Sequence, residues 1–463
     1  MSFVVVLAAL LLLMFVAYRG YSVILFAPVV AMLAVLLTDP AAVPAVFTGV
    51  FMERVAGFLK LYFPVFLLGA VFGKLIELSG YSQSIAASII RLIGQERAIL
   101  AIVAVCALLT YGGVSLFVVV FAVYPFAAEL FRRAGIPKRL IPGTIALGAF
   151  TFTMDALPGS PQIQNIIPTT FFGTDAWAAP VLGVAGSVVI LMLGLTYLER
   201  RRRRALVAGE GYGSGHVNEP ESAAAPVGSP WPVALLPLVV VGVANLALTR
   251  LIPRWNDATV TTELPGLAQP LVTQLASVTA IWAVQGALLA GIGAVLLFAF
   301  RPVMRRFVEG TKAAVGGAML AALNTASEYG FGAVIAALPG FLIVRDALMA
   351  IPDPLVNEAI TVTTLAGITG SASGGMSIAL AAMSEQFLAA ASGAGIPTEV
   401  LHRVAAMASG GMDTLPHNGA VITLLAVTGL THRQSYRDIF AITCIKTLAV
   451  FFVIALYYVT GLV

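Results

Sequence analysis

Long apolar runs alternate with short polar or basic segments along most of this 463-residue chain. A helix that crosses the hydrocarbon core of a bilayer needs about 20 mostly apolar residues. The pattern predicts an all-α polytopic membrane protein with spans near 3–18, 21–38, 58–79, 138–172, 180–198, 231–249, 271–300, 312–342, 400–430 and 438–461. The first apolar run lacks the basic start of a signal peptide, so we expect it to be retained as a span.

Two further apolar stretches, 98–133 and 354–392, are each long enough to enter the bilayer and return. Small residues interrupt both at the centre, with Gly112, Gly113 and Ser115 in the first stretch and a run from Gly370 to Gly375 in the second. The interruptions predict two re-entrant helical hairpins, whose central residues we call the first tip and the second tip.

The long polar segment 199–230 begins with glutamate and five arginines and continues through glycine, serine and proline. The positive-inside rule places it in the cytoplasm. Its composition predicts a flexible linker without a functional role, which divides the chain into repeats of about 1–198 and 231–463. The same rule places Arg97 and Arg133 on the cytoplasmic side, so the first hairpin opens inward and the second outward.

The two halves share short sequences in the same order. The first tip recurs as Gly374-Gly375-Met376-Ser377, Met154–Pro158 recurs as Met412–Pro416, and Ala134–Pro137 recurs as Ala394–Pro397, at offsets of 262, 258 and 260 residues. Inverted repeats with paired broken helices are typical of secondary transporters, because pseudo-symmetry supplies one conformation facing each side.

Composition excludes a soluble enzyme and a nucleic-acid-binding protein. Hydrophobic residues make up 59% of the chain and charged residues 10%, against roughly a quarter charged in soluble domains. The net charge of +4 comes from short clusters between apolar runs, which indicate topology. The pattern contains no metal-ligand cluster and no cofactor motif, and both cysteines lie in apolar runs.

Each repeat carries an aspartate in a proline- and glycine-interrupted span, the broken helices of 138–172 and 400–430. Proline unwinds a helix, and unwound backbone at membrane depth is tolerated only inside protein or beside a cavity. Asp155 and Asp413 therefore either bind substrate or proton, or cap the second half-helices, or do both. The polar residues that follow them are candidates for the substrate site: Ser160, Gln162, Asn165, Thr414 and Asn418.

The two tips are candidates for anion binding, because helix N-termini attract negative charge. Their polar residues are Ser115, Ser371, Ser373 and Ser377, and close packing of small residues is the alternative interpretation. The tips and breaks contain no arginine or lysine, so dipoles and neutral donors would hold the anion. Glu328 is either a proton site or part of an interhelical cluster, and His417 is either a proton relay or a core histidine.

The stretch 153–174, TMDALPGSPQIQNIIPTTFFGT, resembles the gluconate permease (GntP) family of proton-coupled carboxylate transporters. The resemblance implies uptake of gluconate or a related hydroxy acid with a proton, across the cytoplasmic (inner) membrane of a bacterium. It also implies kinship with the ion transporter superfamily, whose members are often homodimers. The proton-coupling candidates are then Asp155, Asp413, Glu328 and His417, with the first two favoured.

Three rival functions stay open at this point. Unwound carbonyls can coordinate sodium, so a sodium-coupled carboxylate symporter is the main alternative. Two intramembrane aspartates could also form a protease dyad, although the repeated contexts and the two hairpins would then have no explanation. A channel would conduct without saturation. The reading we favour is a proton-coupled symporter.

Overall fold

The computed structural model describes residues 2–19, 21–220, 230–266 and 269–463. These residues form 20 α-helices and one pair of short strands. The first half contains α1 (Ser2–Tyr18), α2 (Val23–Leu36), α3 (Val43–Val46), α4 (Glu53–Leu78), α5 (Tyr81–Ile93), α6 (Ala98–Tyr111), α7 (Leu116–Arg133), α8 (Ile141–Ala149), α9 (Phe152–Asp155), α10 (Ile163–Phe172) and α11 (Pro180–Val207). The second half contains α12 (Trp231–Trp255), α13 (Leu275–Arg305), α14 (Phe307–Ala337), α15 (Pro339–Met349), α16 (Pro354–Thr369), α17 (Ala372–Gly393), α18 (Thr398–Gly410), α19 (Gly419–Thr428) and α20 (His432–Thr460).

Five helical segments of the described chain are long and apolar enough to cross a bilayer alone: Pro40–Leu78, which ends in α4, and α11, α12, α13 and α20. The helices α14 and α15 form a sixth apolar unit that bends by 82°. Leu338 is extended at this bend because a following proline disfavours helical geometry in the preceding residue. The predicted span 312–342 therefore ends at Ala337 and turns. The all-α polytopic fold is confirmed.

The helices at the predicted interruptions end where the small residues and prolines occur. Helices α6 and α7 flank the first tip, and α16 and α17 flank the second. Gly113 and Gly370 have φ angles of 94° and 69°, in the left-handed region that glycine tolerates. Helices α9 and α10 are separated by residues 156–162. Between α18 and α19, a 3₁₀ turn and residues 415–418 intervene.

Two groups of helices pack against each other. Helix α4 packs against α13 and α14, α12 packs against α13, and α2 packs against α14. The hairpins and broken helices form the second group, in which α20 contacts α8, α11, α16 and α18, and the first hairpin packs against α8. Contacts of α14 with α17 and of α10 with α13 join the groups.

Three features differ from the pattern-based expectation. Helix α11 continues through the arginines to Val207, nine residues beyond the predicted end of the span at 198. Residues 271–274, predicted as the start of a span, form strand β2 (Leu271–Gln274), which pairs antiparallel with β1 (Thr259–Thr262). Helix α5 was not predicted; its Gly94 ends it with a φ of 88°.

The described part of the predicted flexible linker is packed against the helices. We call residues 208–220 the strap. Lys138 Nζ donates to the Val217 carbonyl oxygen at 2.8 Å and lies 2.7 Å from Glu219 Oε1. The Tyr124 hydroxyl donates to the Asn218 carbonyl at 2.7 Å. The prediction of a flexible segment is wrong for these residues, because buried Lys138 needs acceptors that the strap supplies. Residues 221–229 of the linker lie outside the described residues.

Candidate functional site

The first tip packs against the break of the first broken helix. Gln162 Nε2 donates to the Thr110 carbonyl oxygen at 2.7 Å, at the end of α6. The Tyr111 hydroxyl donates to the Pro158 carbonyl at 2.8 Å. Gly113 lies close enough to Pro161 that an added Cβ would contact the proline ring. The first tip and the first break therefore form one packed unit.

The second tip contacts the second break in a related way. Asp413 Oδ1 accepts the backbone N–H of Ala372 at 2.9 Å, at the start of α17. Asn418 Nδ2 donates to the Gly370 carbonyl at 2.8 Å. The His417 ring packs directly on Gly370, where a side chain would collide with it. This arrangement matches a capping role for Asp413 at the N-terminus of α17, where a negative charge is favoured.

A single side chain joins the two breaks. Gln164 Nε2 donates to Asp413 Oδ2 at 2.9 Å, across 249 positions in sequence. Both oxygens of Asp413 thus accept hydrogen bonds, and Asn418 Nδ2 adds a third donor at 3.3 Å. The first broken helix, the second tip and the second break meet around Asp413, and three hydrogen bonds stabilise its charged carboxylate.

Asp155 forms a buried ion pair that the sequence did not indicate. Lys446 Nζ on α20 lies 2.7 Å from Asp155 Oδ2, and both side chains are 1% exposed. Lys446 also donates to the carbonyl oxygens of Phe150 at 2.7 Å and Gly410 at 2.5 Å. These carbonyls lie at the C-terminal ends of α8 and α18, where a positive charge is favoured. Lys446 therefore donates to two carbonyl oxygens and pairs electrostatically with one carboxylate.

A buried arginine lies next to this ion pair. Arg403 Nη1 donates to the Asp155 carbonyl oxygen at 2.8 Å and to Asn165 Oδ1 at 3.0 Å, and Nη2 donates to the Ala178 carbonyl at 2.6 Å. His402 contacts the same Asn165 oxygen at 3.3 Å. Arg403 thus holds the first break against α18.

Glu328 on α14 faces the second tip. Its side chain lies against Gly374, whose missing Cβ leaves room for the carboxylate. Glu328 is buried, and its Oε2 has no hydrogen-bond partner among the described residues. Nearby hydroxyls form a chain in which Thr325 contacts Ser373 at 3.3 Å and Ser377 donates to the Ser373 carbonyl at 2.7 Å. No ion pair to Glu328 occurs within the described chain.

Several candidates have positions that differ from the expectation. The amide donors of Asn165 are occupied by the carbonyls of Ser160 and Ala176, at 2.9 and 2.8 Å. Both donors of Asn418 are likewise taken, by Gly370 and Asp413. Since an amide has two N–H groups, neither residue has a donor left for a substrate in this conformation. In this conformation Asn165 and Asn418 stabilise the breaks by hydrogen bonds to backbone carbonyls.

The remaining candidates from the sequence are also occupied by contacts within the protein. The Thr414 hydroxyl contacts Thr443 on α20 at 2.7 Å and so points away from the tips. Ser115 is half-buried, and its backbone lies against Gly73 of α4. Gly112 packs on Leu238 and Gly375 on Ala366, which makes both close-packing positions. Ser160 is buried, and its hydroxyl donates to the Thr153 carbonyl at 2.7 Å.

The sequence pattern did not predict the basic residues that lie beside the breaks. The tips and breaks contain no arginine or lysine of their own, yet Arg403 and Lys446 reach the first break from neighbouring helices. Lys446 interrupts an otherwise apolar helix, and an ionisable residue inside a span is a functional hypothesis by default. That rule could have identified Lys446. Arg403 lies near a predicted helix start, where a basic residue attracts no notice.

Comparisons with known proteins identify relatives that are named as transporters. No family model matches the chain. The chain is 60% identical over 472 residues to the protein named "Uncharacterized transporter YxjC" of Bacillus subtilis (strain 168), and the match covers all of both chains.

Two solved structures share the fold at low sequence identity. The YdaH transporter of Alcanivorax borkumensis matches with a TM-score of 0.51 and 16% identity, over 92% of this chain and 90% of that one. MtrF of Neisseria gonorrhoeae, described with a class of antimetabolite efflux pumps, matches with a TM-score of 0.54 and 15% identity, over 91% and 85%. The fold is that of a multi-pass transporter, and the chain belongs to the transporter family that includes YxjC.

Proposed function

We propose that the protein takes up gluconate or a related small hydroxy-carboxylate together with a proton. The resemblance of residues 153–174 to gluconate permeases supports the substrate class. The convergence of two tips and two breaks supports a central binding site, because interrupted helices direct their termini toward a bound ion. Membership of a transporter family supports the transport activity itself.

The proposal of proton coupling rests on Glu328, which is buried and whose Oε2 has no hydrogen-bond partner among the described residues. A buried carboxylate without a cation or a full set of donors is costly as an anion, because no water or counter-charge replaces its hydration. Asp155 and Asp413, which the sequence favoured, have such compensation: a lysine for Asp155 and three hydrogen bonds for Asp413. Glu328 is therefore the residue that we assign to carry the coupling proton. It faces the second tip, which belongs to the substrate site that we propose.

Uptake into proteoliposomes tests the proposal. Labelled gluconate and a panel of other hydroxy acids are offered under an imposed proton gradient, a sodium gradient, or neither. We expect accumulation with the proton gradient alone. Accumulation driven by sodium alone would favour the sodium-coupled alternative, and net export against the gradient would contradict uptake.

The variant Glu328→Gln tests the coupling assignment. Glutamine mimics the protonated acid, so substrate exchange across the membrane should survive while gradient-driven accumulation is lost. The matched control is Glu385→Gln, which removes an exposed carboxylate from α17 and should retain both activities. Full accumulation by Glu328→Gln would show that another group carries the proton.

A further inference from the structure

A cavity of about 370 Å³ lies between α4 and α14 on one side and α10 and α17 on the other. Pockets that bind small molecules start at roughly 300 Å³, so the cavity has room for a small carboxylate. It borders the second tip through Ser377. Its lining includes Arg54, Phe58, Tyr62, Thr170, Tyr329 and Ser377.

The chemistry of the lining suits an organic anion. Phe58 packs against Tyr62 with ring centroids 4.7 Å apart and against Tyr329 at 5.7 Å, which gives the cavity an aromatic wall. Arg54 contributes a guanidinium group that forms no ion pair within the described chain, although Glu53 also lines the cavity. Arginine binds carboxylates through two parallel hydrogen bonds, and the aromatic wall can cover a short carbon chain.

The cavity borders the second tip. Tyr329 directly follows Glu328 on α14, so adjacent residues contact the cavity and the tip. Ser377 lies one helical turn, about 6 Å, beyond Ser373, to whose carbonyl it donates. A ligand in the cavity would thus contact Tyr329, the residue next to the proposed coupling residue Glu328.

Hydrogen bonds of the Tyr62 hydroxyl join two walls of the cavity, α4 and α10. The Tyr62 hydroxyl of α4 contacts the Thr170 hydroxyl of α10 at 2.6 Å. With the basic clusters placed in the cytoplasm, the cavity ends of α4 and α10 lie toward the outer face, and Ser377 borders the cavity at the tip end of α17. The cavity is therefore on the path that an incoming substrate would take.

We propose that this cavity is an outer binding site for the substrate carboxylate, held by Arg54 against the aromatic wall before transfer to the second tip. The chemical class of the ligand rests on the proposed function. Arg54 increases the occupancy of the outer site, whereas Glu328 acts in coupling. The two roles predict different kinetic effects.

Transport kinetics provide the first test. Loss of a charge-assisted, two-point contact should raise the KM for gluconate about tenfold or more in Arg54→Gln, with the maximal rate within about twofold. The control Lys60→Gln removes an exposed positive charge from the same helix and should change neither value. An unchanged KM in Arg54→Gln, or equal increases in both variants, would overturn the proposal.

Cysteine protection provides a test that does not require transport. Thr170→Cys is introduced together with Cys444→Ser, because Cys444 is exposed while Cys106 is buried. A membrane-impermeant maleimide added from outside should label Cys at position 170, and gluconate should slow labelling about fivefold or more. Adding Arg54→Gln should remove that protection.

The two tests separate the outer site from the proposed function. Protection by gluconate without transport of any panel acid would support the outer site and refute the symport proposal. Transport of gluconate without protection, or protection that persists in Arg54→Gln, would overturn the outer site and leave the symport proposal intact.

Discussion

The ion pair between Asp155 and Lys446 should show a large coupling energy in a double-mutant cycle. Removing one partner leaves the other charge buried and unpaired, since both side chains are 1% exposed. Breaking a buried pair in this way costs about 3–5 kcal/mol. We expect this loss in the free energy of unfolding for Asp155→Asn and for Lys446→Met, each taken alone.

The magnitude follows from the geometry. At the observed 2.7 Å, two unit charges attract by about 6 kcal/mol at an effective dielectric constant near 20. Desolvation of the two ions offsets most of this gain, at several kcal/mol per ion. The double variant should therefore be no less stable than either single variant, and the coupling energy should be about 3 kcal/mol or more.

The assay is chemical unfolding of the purified protein in detergent, with the same cycle carried out on Lys74 and Glu77 as a control. That pair has a similar separation of 2.8 Å, but its side chains are 24% and 33% exposed. Exposed pairs contribute about 0.2–1 kcal/mol because water screens them. A coupling energy at Asp155 and Lys446 no larger than the control value would refute the reasoning.

Two further predictions concern the second break and the strap. Gly410→Ala should lower the free energy of unfolding by about 1–3 kcal/mol, because the added Cβ would collide with the side-chain ends of Asp155 and Lys446. The control Gly419→Ala has open space at its Cβ, so its free energy of unfolding should lie within about 0.5 kcal/mol of the parent value in the same assay. Burial opposes ionisation of Glu219, but hydrogen bonds from Lys138 and Arg132 outweigh it and hold its pKa below the usual value near 4.5. Stability from a lowered pKa is present above the unfolded-state value and is lost as the pH falls through the folded-state value. Hydrogen exchange should therefore show that residues 212–219 are protected at pH 7 and lose this protection below about pH 4.5, a change that we call the acid step. In Glu219→Gln the same residues should be less protected at pH 7 and should show no acid step. An acid step that is the same in both proteins would contradict the role of Glu219.

Much of the architecture could be read from local features of the chain. Apolar runs of sufficient length predict helices in a bilayer whatever their neighbours are, because backbone groups in lipid must be satisfied within the segment. Glycine and proline mark the interruptions for the same local reason, so the ends of α6, α9, α16 and α18 follow from the pattern. Asp155, Asp413 and Glu328 were also found as polar residues in apolar surroundings.

The sequence pattern could not predict which side chains contact those residues. Asp413 contacts Gln164 from 249 positions away, and Lys446 joins the ends of α8 and α18 from the last helix. The strap contains the residue types of a flexible linker, yet Lys138 and Glu219 bring it against the helices. Composition describes a segment alone, and these contacts depend on other segments.

The sequence by itself determined the membrane class, the positions of most helices and breaks, and the presence of carboxylates in the interrupted spans. Only the tertiary structure decided which carboxylate is compensated: Lys446 pairs with Asp155 and three donors reach Asp413, whereas within the described residues Glu328 has no ion pair and its Oε2 has no hydrogen-bond partner. Secondary structure and membrane insertion depend on neighbours within a few turns of helix. The charge state of a buried carboxylate depends on every group within a few ångströms, and folding brings those groups together from distant parts of the chain.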